Sequence, residues 1–374
     1  MTVYRFLQPL DLLVLRGNKL FGDPGSFGES LVPPWPSAAA GALRSWLLAS
    51  DSADAAAFAR GEVAHPTLGT PTAPGSFRLT AFHVARLTAA GTVELLIEPP
   101  SDLILSRSDD EKLRPAMLAP QTLPAGLLAS APVQQLPVLG VADRRKSVAG
   151  YWLNQRAVTD YLQGKLPEAA DLIPTNQLWK VDARIGIGLD PIQRRADDGK
   201  LFATQAVGFC PGTGFLVGVE GAELPANGSL RFGGDGRAAA VSTVRVEPPI
   251  PDLSALASAG RCRLVLTSPG LFPDGWRLPG VDAQGRFALG GVRARLVSAA
   301  VPRAQTVSGW DLAAWQPKPA QRAAPSGSVY WLDQLEATPE ALGKLVAAGL
   351  WREPCDDLQR RAEGFNRFSF AVWT

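Results

Sequence analysis

Alternation of apolar and polar residues predicts strands at both ends of the chain. Near the start, Val3, Arg5 and Leu7 alternate with Tyr4 and Phe6, and residues 364–374 alternate in the same way. A period of two residues is typical of a half-buried β-strand. Similar runs predict further strands at residues 77–87, 93–97, 201–207, 214–220, 261–266, 289–297 and 328–333.

Helical periodicity is confined to short segments. The longest spans residues 38–49, with Ser37 expected as the N-cap. A short Ala-rich helix is expected within residues 51–60, and another around residues 154–163. Thr338 is expected to cap a third short helix that has Pro339 at its first position and Gly349 just past its end.

The order of these elements predicts two domains. Strand 214–220 is expected to pair with strand 201–207 across the turn at Pro211 and Gly212. Residues 99–178 carry repeated prolines and lack a sustained period, so we interpret them as a large insertion. The proline-rich segment 247–251 is the best linker candidate. We therefore predict one domain at 1–246, with the insertion, and a second at 247–374.

Composition narrows the fold class to α+β. The 374 residues are 46% hydrophobic and carry a net charge of only +2, which excludes a disordered chain and leaves room for two cores. Gly and Pro together supply 69 residues, which argues against a simple helical bundle because both residues break helices. A strand-rich protein with long Gly/Pro-rich loops is expected.

The chain contains few residues that suit common catalytic chemistry. Its three cysteines lie far apart, so we expect no metal site, and Gly186-Ile187-Gly188 lacks the third glycine and the helix of a dinucleotide fingerprint. No cofactor is expected. The sequence contains neither an apolar leader segment nor an apolar run of eighteen residues, which predicts a soluble, cytoplasmic protein without membrane contact.

Basic residues are concentrated in one part of the second domain. Residues 261–303 carry seven arginines against two aspartates, a local charge of +5. Arg261 and Arg263 share one face of a predicted strand, as do Arg293 and Arg295. If the two strands are neighbours, four arginines occupy one sheet face. A solvated face and an RNA contact are equally compatible with this pattern.

Several motifs together resemble a known family. They are residues 9–21 and 33–45, residues 184–190 with 199–202, residues 232–237, and residues 318–330. In this order they are similar to the third Cmr subunit of type III-B CRISPR effector complexes, a member of the RAMP superfamily. The resemblance covers almost the whole chain and rests on no single motif.

The resemblance implies two fused ferredoxin-like (RRM-like) modules, with a large insertion in the first. It also implies a noncatalytic RNA-binding subunit that grips the repeat-derived 5′ tag of crRNA. Such a subunit bridges the large palm-domain subunit to the backbone RAMP subunit in antiviral defence. Arginines, glycine loops and a shortage of histidine and cysteine suit that role, because RNA contact requires phosphate binding and not an activated nucleophile.

Candidate RNA contacts follow from the motif positions and the arginine-rich strands. They are Arg16, Lys19, Arg44, Arg184, Arg194, Arg195, Lys200, Arg237, Arg293, Arg295, Lys318 and Arg322. For each of these side chains, a role as a surface charge or a subunit-interface charge is as compatible with the sequence as a role in RNA binding.

Two alternatives remain at the level of sequence. One is a RAMP endoribonuclease that processes precursor crRNA, with His65 or His83 as general acid/base and Tyr4 or Lys19 assisting. The other is the equivalent tag-capping subunit of a type III-A or III-D complex, which would have the same role on a different scaffold.

Overall fold

The computed structural model describes residues 2–17, 27–88, 90–107, 111–124, 126, 132–141, 146–190, 192–311 and 316–374, with the backbone alone at 197–199. Strands predominate over helices in this part of the chain, so the fold is mixed α+β, as the composition predicts. The helices described are α1 (Pro36–Ser50), α2 (Ala55–Ala59), α3 (Gln155–Leu162), α4 (Leu253–Ala259), α5 (Pro339–Ala348) and α6 (Leu358–Ala362).

The strands in the first half of the chain precede residue 190. They are β1 (Val3–Pro9), β2 (Phe27–Gly28), β3 (Arg78–Leu87), β4 (Val93–Leu96), β5 (Leu103–Arg107), β6 (Leu113–Thr122), β7 (Gln135–Leu139), β8 (Lys146–Ser147), β9 (Tyr151–Leu153), β10 (Leu172–Pro174) and β11 (Trp179–Leu189).

The strands in the second half follow residue 195. They are β12 (Ala196–Phe209), β13 (Thr213–Glu220), β14 (Gly228–Arg231), β15 (Ala238–Thr243), β16 (Cys262–Leu266), β17 (Arg286–Leu289), β18 (Val292–Ala300), β19 (Gln305–Val307), β20 (Trp310–Asp311), β21 (Gln316–Pro317), β22 (Gln321–Ala323), β23 (Val329–Glu336) and β24 (Phe368–Ala371).

The chain folds into two compact units, each assembled from separate segments. The first unit contains residues 1–93, 175–246 and 307–320, and the second contains residues 94–174, 247–306 and 321–374. Residues 94–174 thus group with the second unit. The division into domains 1–246 and 247–374 stays a prediction. None of the helices in the described ranges is long and apolar enough to span a membrane.

The first unit is built on a sheet with strand order β14-β15-β1-β13-β3-β4, in which the pairs from β14 to β3 are antiparallel. Helix α1 packs against β3 and β14. The core is aromatic: the Phe215 ring centroid lies 5.3 Å from those of Phe82 and Phe232. Strand β13 is buried over nearly its whole length, and it pairs with β1 along one edge and with β3 along the other.

The predicted pairing of strands 201–207 and 214–220 is wrong. Strand β12 pairs instead with β11 in a long hairpin and with β2, whereas β13 pairs with β1 and β3. The apolar run at Phe215–Val219 explains the difference. A strand that is buried on both faces lies in the centre of a sheet. Both edges of β13 are therefore paired with β1 and β3, and neither is left for β12.

Ser37 does not cap α1, which begins two residues earlier than expected. Trp35 occupies the N-cap position in an extended conformation without a side-chain cap bond, and Pro36 is the first helical residue. Proline lacks the N–H that would go unpaired there, and it forces the preceding residue out of the helical region. These two effects place the start of the helix at Pro36.

The second unit contains an antiparallel sheet with strand order β17-β18-β23-β16-β24. One face carries the apolar core, which includes Leu264, Leu296 and Leu332 together with Leu256 of α4 and Leu342 of α5. The expected cap at Thr338 is confirmed, since its hydroxyl accepts from the Ala341 N–H.

Residues 94–174 are more ordered than their sequence pattern predicts. They form β5–β10, and the proline-containing strands β6 and β7 pair in register. The helix expected around residues 154–163 is confirmed as α3, with the Asn154 side chain accepting from the Ala157 N–H at 2.9 Å. The sequence pattern did not predict strands β6 and β7 because they contain prolines, and proline is normally rare inside sheets.

Candidate nucleic-acid interface

The most exposed element of the first unit is the ribbon, which we define as strands β11 and β12 with their connecting loop. The strands pair antiparallel from Trp179 opposite Phe209 to Ile187 opposite Leu201. Among the side chains of the ribbon that the structure describes, the buried ones lie at its base and are Trp179, Ala206 and Val207. Because side chains alternate across a strand, the rest of the ribbon presents two faces of different chemistry.

One face of the ribbon is aliphatic. Ile185 is 77% exposed, and Val181, Ile187, Leu189 and Leu201 are each about half exposed. These five side chains present on the order of 500 Å² of apolar surface, near the upper end of the largest patch that a monomer normally exposes. A surface of this kind marks an interaction site.

The opposite face is basic and carries an aromatic ring. Two glycines shape it: a Cβ at Gly186 would lie 2.3 Å from Cζ of Phe202, and one at Gly188 would lie 2.8 Å from Cβ of Lys200. The absence of side chains at these glycines lets the Phe202 ring and the Lys200 stem lie across β11. Arg184 is exposed on the same face, with its Nε 2.8 Å from Asp182 Oδ2.

The tip of the ribbon carries two further candidate contacts, Arg194 and Arg195, and both side chains are exposed. Arg194 has a positive φ of 52°. Asp190 holds the turn by accepting from the backbone N–H groups of Ile192 and Gln193 at 2.8 and 2.9 Å. The ribbon therefore brings together four of the predicted contacts, including Lys200.

Two more candidates, Arg16 and Arg237, lie at residues 232–237 of the first unit, which we call the glycine loop. Nη2 of Arg16 lies 3.5 Å from Asp235 Oδ1, and Arg237 donates to the Asp11 carboxylate. The Gly234 N–H donates to Val14 O at 2.8 Å, which fastens the loop to the segment after β1. Both arginines are thus oriented by carboxylates. Lys19 lies outside the described residues.

Five of the described candidates lie away from the ribbon and the glycine loop, and two of these, Arg293 and Arg295, are on β18 of the second unit. Arg44, on α1, places its guanidinium 5.3 Å from the Phe77 ring centroid, which gives it a packing role. The backbone N–H of Lys318 donates to Gly309 O at 2.9 Å, so Lys318 belongs to a local turn. Arg322 is exposed on β22 of the second unit.

The arginine face of the second unit is only partly accessible. The sequence pattern places four arginines on one sheet face if their two strands are neighbours. In the structure these strands, β16 and β18, are not neighbours, because β23 lies between them. The buried apolar run of β23, Val329–Leu332, explains its central position in the sheet. Arg261, Arg263, Arg293 and Arg295 nevertheless alternate with core residues, so they share the face opposite the core.

Arg263 is buried on this face and is not a surface residue. It donates from Nη1 to Asp102 Oδ2 at 2.5 Å, from Nη2 to Tyr161 O at 2.9 Å and from Nε to Val372 O at 2.9 Å. The Tyr161 hydroxyl donates to Asp102 Oδ1 at 2.7 Å. Sequence reasoning missed Asp102 and Tyr161 because they are distant in the chain and stand in an apparent insertion.

Arg295 and Arg293 differ in their surroundings. Arg295 is half-buried and makes a two-point contact with the Asp333 carboxylate at 2.9 and 2.6 Å, which raises the pKa of its guanidinium. Arg293 is exposed and makes no ion pair with a residue that the structure describes. Of the two, Arg293 is the more exposed to solvent.

The two histidines differ in their surroundings. His65 Nε2 lies 2.9 Å from Asp51 Oδ2, and its Nδ1 accepts from the N–H groups of Thr67 and Leu68 at 3.2 Å. Nδ1 thus holds a local turn, and Nε2 contacts the carboxylate of a residue fourteen positions earlier. Burial lowers the pKa of the half-buried His83 to about 4, so its imidazole is neutral at physiological pH. In the described ranges, no group of three or more His, Cys, Asp or Glu side chains is arranged to hold a metal ion.

An exposed apolar surface such as the aliphatic face of the ribbon is typical of proteins that bind other proteins. The class of protein that this feature fits is a subunit of a larger assembly. The sequence profile of a family described as CRISPR-associated protein (Cas_Cmr3) matches residues 5–373. The chain belongs to this family, the third Cmr subunit of type III-B CRISPR effector complexes.

Two solved structures are similar to the chain. One is a chain of a type III-B Cmr-β complex bound to cognate target RNA, with 14% identity and a TM-score of 0.46 over 88% of this chain and 86% of that chain. The other comes from the same kind of complex bound to cognate target RNA and AMPPnP, with 14% identity and a TM-score of 0.49 over 98% of each chain. A comparison with curated proteins found no match.

Proposed function

We propose that this subunit binds RNA without catalysing a reaction, grips the repeat-derived 5′ tag of crRNA, and bridges the large palm-domain subunit to the backbone RAMP subunits. The observation that carries the proposal is the two-faced ribbon. One of its faces has the chemistry that contacts RNA, and the other has the chemistry that contacts protein.

The basic face suits a single strand of RNA. Arg184 and Lys200 provide positive charge for phosphates, and the Phe202 ring between them provides a surface on which a base can stack. Stacking and phosphate contact tolerate many sequences, so this face holds the tag by its backbone and its splayed bases. Arg194 and Arg195 extend the charge to the tip.

The aliphatic face suits a partner subunit. Its side chains provide neither phosphate ligands nor stacking surfaces, and Ile185 and Leu189 are too exposed to serve the subunit's own core. Covering them with apolar surface of a neighbouring subunit stabilises the assembly by about 25 cal/mol for each Å² removed from water. This is the physical basis that we propose for bridging.

We also infer that the subunit consists of two ferredoxin-like modules. Supporting this, strands β1, β3, β13 and β15 are arranged as fourth-first-third-second across the first sheet, and β16, β18, β23 and β24 repeat that order in the second. The first retains helix α1 between its first two strands, and the second retains α5 between its last two.

A noncatalytic role is supported by the surroundings of the two histidines. His65 is engaged by its own turn, and His83 has a lowered pKa. Incubating the purified protein with labelled repeat RNA tests this point directly. Cleavage that disappears in a His65→Ala, His83→Ala double variant would establish the endoribonuclease alternative instead.

The ribbon proposal is tested by substituting each face separately. An Arg184→Gln, Lys200→Gln variant is expected to bind tag RNA at least tenfold more weakly and to show a smaller salt dependence, because it makes fewer phosphate contacts. Arg231→Gln, at an exposed site on β14, is the matched control. An Ile185→Ser, Leu189→Ser variant is expected to retain RNA binding but to lose copurification of partner subunits.

The two readouts separate the two parts of the proposal. If the basic-face variant binds tag RNA as tightly as Arg231→Gln, the ribbon does not hold the tag. If the serine variant assembles with its partners at the wild-type level, the aliphatic face is not the bridge.

A further inference from the structure

A cavity of about 560 Å³ opens on the arginine face of the second unit. Its walls come from the β6 and β7 hairpin on one side and from the sheet on the other, and they include Arg261, Arg295, Trp373 and Gln135. The volume lies in the range typical of small-molecule sites. The lining is mainly polar, in contrast to the core on the other face of the sheet.

Arg261 and Trp373 contact each other in the lining of this cavity. The Arg261 guanidinium lies 5.4 Å from the Trp373 ring centroid. Arg261 is exposed and makes no ion pair with any residue in the described part of the chain. Its positive charge is therefore available to a ligand. A planar guanidinium beside an indole is a combination that binds nucleobases and phosphates.

The remaining polar side chains of the cavity are paired or neutral. The Asp333 carboxylate is compensated by its two-point contact with Arg295, so it does not cancel the charge of Arg261. Gln134 and Gln135 contribute amides, which can both donate to and accept from the edge of a base. Among the side chains of the lining, two arginines stand against one aspartate, which favours an anionic ligand with a flat, hydrogen-bonding ring.

We propose that this cavity binds a single unstacked nucleotide, with its base on Trp373, its phosphate beside Arg261, and the base edge at Gln134 and Gln135. Two sources have this chemistry: a free mononucleotide, and a nucleotide flipped out of a bound RNA. The second source rests on the proposed function, whereas the first does not.

The test measures both sources with the full-length chain. Binding of AMP and UMP is followed by calorimetry, and RNA carrying 5-iodouridine is photo-cross-linked and the modified residue mapped by mass spectrometry. Arg261→Gln and Trp373→Leu are each expected to weaken nucleotide binding about tenfold, as loss of a stacking contact does. Arg303→Gln, an exposed arginine of the same unit outside the cavity, is the control and is expected to bind as wild type.

The outcomes distinguish the cavity from the ribbon. Mononucleotide binding that depends on Arg261 and Trp373 supports the cavity even if tag RNA does not bind. Cross-links at Trp373 that vanish in Arg261→Gln assign the ligand to RNA. If no mononucleotide binds saturably and cross-links fall only within residues 179–209, or if both variants match Arg303→Gln, the cavity is not a nucleotide site. A protein segment that competes for Arg261 and Trp373 without any nucleotide binding would likewise overturn the proposal.

Discussion

The buried network of Arg263, Asp102 and Tyr161 predicts a large loss of stability on a small substitution. Arg263 is 3% exposed and Asp102 is fully buried, so the charge of each is compensated only by the other and by hydrogen bonds. The Arg263 guanidinium also lies 4.4 Å from the Tyr161 ring centroid. Burial, and then the Asp102 carboxylate, raise the pKa of the Tyr161 hydroxyl well above its ordinary value, so it remains a donor.

Asp102→Asn preserves the shape of this network and removes one charge. Arg263 then stays buried without a counter-ion, and breaking a buried pair in this way costs about 3–5 kcal/mol. In a unit of this size, each kcal/mol shifts the melting temperature by roughly 2–4 °C, so we expect a fall of roughly 6–20 °C. The network links residues 94–174 to the sheet of the second unit, so the loss should appear in the unfolding of that unit.

The assay is urea and thermal unfolding followed by circular dichroism. The matched control is Glu168→Gln, which removes an exposed carboxylate of the same segment that pairs with Arg156 at 3.4 Å, and we expect no measurable shift from it. An Asp102→Leu, Tyr161→Phe, Arg263→Met variant, which replaces the whole network with apolar groups, should regain most of the stability. Asp102→Asn unfolding like Glu168→Gln would refute the reasoning.

Three further predictions concern single side chains. Because the pKa of His83 is about 4 when folded and near 6.5 when unfolded, the unfolded chain binds the extra proton. Stability should therefore fall as pH drops from 6.5 to 4, by up to about 3 kcal/mol, and His83→Leu should flatten that part of a pH-dependent unfolding series. Cys262 is buried with its pKa raised to about 12, so a thiol reagent should modify Cys210 and Cys355 in the native protein and Cys262 only after unfolding. Gly186→Val should displace the Phe202 ring and weaken tag RNA binding, measured by fluorescence anisotropy, without changing the circular dichroism spectrum.

The sequence predicted elements better than it predicted their neighbours. Alternation located β1, β3 and β23, and a capping signal located α5, because these features depend on residues close in the chain. The pairing of β12 and the position of β23 between β16 and β18 depend on which strands are buried on both faces. A local pattern does not reveal that.

The same distinction applies to the candidate site. Arg184 and Lys200 were expected as RNA contacts, and the structure adds Phe202, whose position depends on the missing side chain of Gly186 across the hairpin. Alternating glycines in β11 are the signal that would have indicated it. Asp102 carries no such signal, since its partner Arg263 lies 161 residues away.

The central claim, that this subunit grips the repeat-derived 5′ tag of crRNA, is tested most directly by sequencing the RNA that remains bound to the affinity-purified protein from cells expressing its complex. We predict short RNAs with a uniform repeat-derived 5′ end, copurifying with the palm-domain subunit and depleted in the Arg184→Gln, Lys200→Gln variant. RNAs with random 5′ ends, or an assembled complex whose tag-bearing RNA is unaffected by that variant, would contradict it.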